Sequence, residues 1–99
     1  MSSRRRNLHP TEGVRFILER TEDQGPRATY RASVYTPDAV FTGTATLAED
    51  GSAELAATGA PAELDERLTT IAKVVARDAN KRKEDGLVTW PNRIMRWRK

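Results

Sequence analysis

Two tryptophans and four basic side chains lie close together at the C-terminal end of the chain. Trp90 and Trp97 share this stretch with Arg93, Arg96, Arg98 and Lys99. Aromatic rings stack on unpaired bases while cations follow a phosphate backbone, so this mixture is typical of proteins that bind single-stranded nucleic acid. A structural role is the alternative. The chain has only 2 Trp, 2 Tyr and 2 Phe, and a small core would be stabilised by burying both indoles.

Basic residues also cluster at two other places, and together they divide the chain by charge. Residues 1–6 carry +3, residues 81–99 carry a net +5, and residues 7–80 carry a net −5. Basic ends on a mildly acidic body attract polyanions, although they would also keep a small protein in solution. The predicted polyanion-binding residues are Arg4, Arg5, Arg6, Lys81, Arg82, Lys83, Arg93, Arg96, Arg98 and Lys99.

Catalytic chemistry has little support in the sequence. The one histidine, His9, precedes Pro10 in a stretch without periodicity, and base catalysis needs a fixed geometry. There is no glycine-rich phosphate loop, no nucleophile elbow and no histidine or carboxylate set at metal-ligand spacing. We therefore expect a protein that is not an enzyme, with no cofactor, no metal and no small-molecule substrate.

Length and composition restrict the class of protein further. A chain of 99 residues without cysteine forms one modest core and excludes disulfide scaffolds and cysteine–zinc sites. The arginines at the start are followed by polar residues rather than by an apolar signal segment, and no run is long enough to cross a membrane. We expect a cytoplasmic protein. The abundance of arginine and alanine fits a GC-rich bacterial genome as well as a preference for phosphate.

The elements that position these residues are predicted from two periodicities. Alternating apolar residues indicate four strands at about 13–21, 27–35, 39–48 and 52–57, joined by short turns into an antiparallel meander. Apolar residues at helical spacing then indicate one long helix over about 61–85, with Pro61 at its start and Gly86 at its end.

The predicted fold class is therefore α+β, with the helix packed on one face of a four-stranded sheet. Residues 1–11 are expected to form a disordered basic arm, residues 12–86 the single domain, and residues 87–99 a basic tail docked on it. The order of four antiparallel strands and one long helix resembles that of PUR repeats and Whirly-type domains, which bind single-stranded nucleic acid. The motif residues of those families do not occur here, so the resemblance is one of element order.

The sheet face away from the helix is expected to be open. It would display threonines, two arginines, Ile17 and Tyr35, and Tyr35 is a further candidate for stacking on a base. A plain solvated face, a face-to-face dimer contact and a nucleic-acid platform are all compatible with this composition.

Three functions follow, of which we rank nucleic-acid binding, to DNA or RNA, through the basic ends first. The alternative is a protein-interaction or homodimerisation module that uses the open sheet face. A third possibility is that residues 91–99, with Ile94 and Trp97 at helical spacing, form a basic amphipathic helix on an anionic membrane surface.

Overall fold

The computed structural model describes residues 10–98, so Arg4, Arg5, Arg6, Lys99 and most of the predicted arm lie outside the described residues. Five strands and two helices follow one another along the chain. They are β1 (Val14–Asp23), β2 (Arg27–Tyr35), β3 (Val40–Ala48), β4 (Ala53–Leu55), α1 (Ala62–Arg77), α2 (Ala79–Glu84) and β5 (Arg93–Arg98).

The strands form one antiparallel sheet in the order β4-β3-β2-β1-β5. The predicted α+β class, with an antiparallel sheet and a C-terminal helix, is confirmed, but the predicted count of four strands is wrong. The tail supplies the fifth strand, which pairs with the outer edge of β1 and satisfies backbone groups that an edge strand leaves open.

The fifth strand also corrects the helical interpretation of the tail. Ile94 and Trp97 are three residues apart, as on a helix, but they lie on opposite faces of a strand. Ile94 pairs with Leu18 on the core side, whereas Trp97 pairs with Arg15 on the other side. The membrane-surface helix proposed for residues 91–99 is therefore not formed. No helix in the described range 10–98 is long and apolar enough to span a membrane.

The long helix predicted over 61–85 is bent at Asp78, which separates α1 from α2. In a continuous helix the N–H of residue 79 donates to the carbonyl of Val75. Here the Val75 carbonyl accepts a 2.7 Å hydrogen bond from Nη2 of Arg82. A side chain that enters the hydrogen-bond ladder of a helix is a recognised cause of bending.

The core lies between α1 and one face of the sheet. Alternate strand residues such as Phe16, Tyr30 and Leu47 meet the apolar stripe of α1, which includes Leu68 and Ala72. All five are buried, as the two periodicities predict. The opposite sheet face therefore carries the side chains that α1 does not cover.

Candidate nucleic-acid interface

A row of side chains crosses the sheet on the face away from α1. The register of β5 places Trp97 directly opposite Arg15, and the register of β2 places Tyr35 opposite Arg15 on its other side. The row continues to Val40 on β3. Trp97 is 48% exposed and Tyr35 is partly exposed. The structure thus brings together two of the three predicted stacking residues, with a guanidinium between them.

A second row on the same face carries alternating charge. Glu19 on β1 lies opposite Arg93 on β5 and opposite Arg31 on β2. Nη1 of Arg31 is 3.8 Å from Oε1 of Glu19, and both side chains are largely exposed. One carboxylate thus lies between two guanidinium groups, so this row has an excess of positive charge.

The face is less open than the sequence predicted. Ile17 is only 1% exposed, although it was expected to be displayed, and Ser33 on the neighbouring strand is also buried. The reason is the fifth strand, because it makes β1 a central strand and places Met95 opposite Ile17. The segment before β1 also approaches this region, since Nε1 of Trp97 donates to the carbonyl of Glu12 at 3.2 Å.

Trp90, the third predicted stacking residue, has no ring face available to a base. It is fully buried, and its Nε1 donates a 2.8 Å hydrogen bond to the carbonyl of Gly25. The alternative that we considered for both tryptophans, burial in the core, is therefore what the structure shows for Trp90. Trp97 remains exposed.

Further hydrogen bonds fix the segment that leads into β5. Nη1 of Arg20 donates to the carbonyl of Trp90 at 2.7 Å. The backbone N–H of Arg20 donates to the carbonyl of Asn92 at 2.8 Å. The hydroxyl of Tyr30 donates to the carbonyl of Pro91 at 2.7 Å, and burial raises the pKa of Tyr30 to about 12. These contacts place β5, and with it Trp97, in register with β1.

The predicted basic cluster at residues 81–83 is largely occupied by contacts within the fold. Arg82 is half-buried and donates from Nε to the carbonyl of Thr89 at 2.8 Å, in addition to its bond to Val75. Nζ of Lys83 is 3.1 Å from a carboxylate oxygen of Glu49. Lys81 is exposed. The structure therefore gives Arg82 a structural role that its place in a basic run did not reveal.

The three arginines of β5 form an exposed basic cluster. Arg93, Arg96 and Arg98 lie within six residues, and all three are exposed. Arg93 projects onto the sheet face with Trp97, whereas Arg96 and Arg98 lie opposite Phe16 and Val14 at the edge of the core face. The cluster thus wraps the outer edge of the sheet beside the exposed indole.

Arg15 was missed as a site residue, because its position in the row depends on β5. Recognising a fifth strand in the sequence would have identified Arg15. The sequence signal for that strand is weak, because only one of its residues, Ile94, is buried.

Among the described residues no three histidine, aspartate or glutamate side chains come together in a way that could hold a metal ion. No protein-family model, curated protein or solved structure matches this chain.

Proposed function

We propose that this chain is a non-enzymatic protein that binds single-stranded nucleic acid on the sheet face beside β5. The observation that carries the proposal is the cross-strand row of Trp97, Arg15 and Tyr35. Aromatic side chains on the strands of one sheet face form a platform on which unpaired bases stack.

The spacing of the row suits consecutive bases of an extended strand. Trp97 and Tyr35 are two strand spacings apart, which is about 10 Å. A single strand can separate its bases to reach both rings. In a duplex the base faces are already stacked on one another, so we expect a preference for single strands.

The exposed arginines of β5 supply the electrostatic part of the affinity. Arg93 lies on the same face as the row, and Arg98 lies next to Trp97 at the edge of the sheet. The proposal also includes Arg4, Arg5 and Arg6, and only their charge in the sequence supports this part of it. Contacts of this type release counterions, so the affinity should fall steeply as salt is raised.

Fluorescence anisotropy with a labelled mixed-sequence oligonucleotide tests this proposal. We expect Trp97→Ala to weaken binding about tenfold, because stacking on one aromatic ring contributes roughly 1–3 kcal/mol. Val40→Ala is the matched control, since Val40 occupies the far end of the same row and is 47% exposed. Equal affinity of the wild-type protein and the Trp97 variant would overturn the stacking role.

Charge variants separate the electrostatic part of the proposal from the stacking part. Arg93→Ala should weaken binding and reduce its salt dependence, whereas Lys73→Ala, on the exposed side of α1, should leave both nearly unchanged. Affinity that does not change between low and moderate salt would contradict nucleic-acid binding through these side chains.

A second candidate function is self-association or protein binding through the same face. Trp97, Met95 and Val40 are the large apolar side chains exposed on this side of the sheet. Sedimentation of the free protein distinguishes the two functions. A stable dimer that Val40→Asp dissociates would favour the second, and a monomer that binds the oligonucleotide would favour the first.

A further inference from the structure

The outer edge of β5 offers backbone hydrogen-bonding groups at alternate residues. The N–H of Arg20 donates to the carbonyl of Asn92 at 2.8 Å, so these two residues form a hydrogen-bonded pair of the antiparallel ladder. The register then directs the backbone groups of residues 94, 96 and 98 towards β1. Those of Arg93, Met95 and Trp97 point away from the sheet, and no strand within residues 10–98 pairs with that side.

One contact confirms the direction of these groups. The carbonyl of Met95 accepts a 2.9 Å hydrogen bond from Nη1 of the neighbouring Arg96, whose side chain is exposed. This flexible side chain occupies the position that an incoming backbone N–H would take. The N–H of Met95 points to the same side.

A groove on the helix side runs beside this edge. It has a volume of about 400 Å³ and lies between α1 and β5. Ile71, Val74 and Val75 supply its apolar wall, and Arg96, Trp97 and Arg98 of β5 line the opposite wall. Alternate side chains of a strand that paired with β5 would enter this groove, because residues of a strand point to its two faces in turn.

Charge determines which strand the edge suits. β5 carries three exposed arginines and no acidic residue. A second copy of β5 would bring three more arginines to within one strand spacing, and like charges on paired strands are destabilising. An acidic strand has the opposite effect.

We propose that β5 receives a sixth strand from a partner protein, namely an extended acidic segment with aliphatic residues at alternate positions. The aliphatic side chains enter the groove along Ile71 and Val74, and the carboxylates, on the other face of the added strand, contact Arg93 and are attracted by the nearby charges of Arg96 and Arg98. The backbone of the segment pairs with Arg93, Met95 and Trp97, which is the mode called strand addition. This surface is the edge of the sheet and does not depend on the proposed nucleic-acid function.

The test uses the full chain and a short synthetic peptide of alternating valine and glutamate. Met95→Pro removes the outward N–H without removing a donor to β1, and proline is tolerated on edge strands in this position. Met95→Ala is the matched control, because it shortens the same side chain and keeps the N–H. We expect the proline variant to bind the peptide about tenfold more weakly than the alanine variant, because it loses one well-placed hydrogen bond to the peptide.

A second variant guards against a proline that disturbs the strand itself. Val74→Asp places a negative charge in the groove at an exposed helix position and should also weaken binding of the acidic peptide. Amide shifts at residues 93, 95 and 97 on titration with the peptide would support the proposal. Equal binding by both Met95 variants, or equal binding of a valine–lysine peptide, would overturn it.

Two further outcomes separate this proposal from others. Sedimentation showing a dimer that Met95→Pro dissociates would assign the edge to a second copy and overturn the partner strand. Oligonucleotide binding should survive Met95→Pro, since it uses side chains of the sheet face. Strand addition is overturned if Met95→Pro weakens binding of both the peptide and the oligonucleotide while Val74→Asp changes the affinity for neither.

Discussion

The hydroxyl of Tyr30, in the middle of β2, donates a 2.7 Å hydrogen bond to the carbonyl of Pro91, just before β5. Tyr30 is fully buried, so this bond joins the core of the sheet to the segment that delivers its last strand. A polar contact of this kind, shielded from water, couples the placement of β5 to the protonation of a single side chain.

The folded state should therefore lose stability in alkaline solution. Burial raises the pKa of Tyr30 to about 12 from 10.0, so the fold favours the neutral, protonated phenol. The contribution is fully present below pH 10 and is lost as the pH rises from 10 towards 12. Urea unfolding across this range should give a steeper loss for the wild-type protein than for Tyr30→Phe. Identical pH dependence in the two proteins would show that Tyr30 has no part in it.

The two tryptophans should differ sharply in their contribution to stability. Trp90→Ala removes a fully buried indole and leaves the carbonyl of Gly25 without its donor, which should cost about 3–5 kcal/mol. Trp97→Ala removes a half-exposed ring and should cost about 1 kcal/mol or less. Chemical unfolding of the two variants measures this difference, and comparable losses would contradict the placement of Trp90.

Arg82 should contribute to stability and not to nucleic-acid affinity. Arg82→Met keeps the apolar stem and removes the donors to Val75 and Thr89, and hydrogen bonds to charged groups are each worth about 1.5–3 kcal/mol. Lys81→Met is the control, because Lys81 is its exposed neighbour. We expect a lower unfolding midpoint for the Arg82 variant only. A loss of oligonucleotide affinity at unchanged stability would restore the phosphate-contact role predicted from the sequence.

Gly43 should not tolerate a side chain. A Cβ at this position would lie 2.7 Å from the carbonyl oxygen of Ala56, where the chain leaving β4 crosses β3. Backbone must shift to relieve that contact, so Gly43→Ala should destabilise the fold by about 1–3 kcal/mol. Thr44→Ala, at the exposed neighbouring position, is the control in the same unfolding experiment. A neutral Gly43 variant would show that residues 56–58 can move away.

The parts of the fold that sequence reasoning found are those with a clear local period. Alternation of apolar and polar residues predicted β2 over 27–35, which are its observed bounds. The apolar stripe through Leu68 and Ala72 predicted α1. β5 was not found, since Ile94 and Trp97 imitate helical spacing and its pairing partner lies at the other end of the chain. The bend at Asp78 was not found either, because it depends on the hydrogen bond from Arg82 to the carbonyl of Val75, and the folded loop holds Arg82 in place through the carbonyl of Thr89.

The candidate site shows the same limit. Tyr35 and Trp97 were both identified by residue type. Their alignment across the sheet depends on β1, where Arg15 pairs with both, and residue types alone do not give strand order. Trp90 and Trp97 differ in burial because of where each lies. Trp90 lies in the loop before β5 and packs in the core, whereas Trp97 lies on β5 with its side chain on the face away from the core.

The sheet order has a consequence for how the molecule assembles. Among the described residues β1 is synthesised before the other strands, yet its partner β5 follows every other element. Throughout synthesis of the intervening residues one side of β1 has no strand to pair with. Contacts between residues so distant in sequence are the slowest to form, so closure of the sheet at β1 and β5 should limit the folding rate. During that interval the growing chain exposes a strand edge that other chains can join.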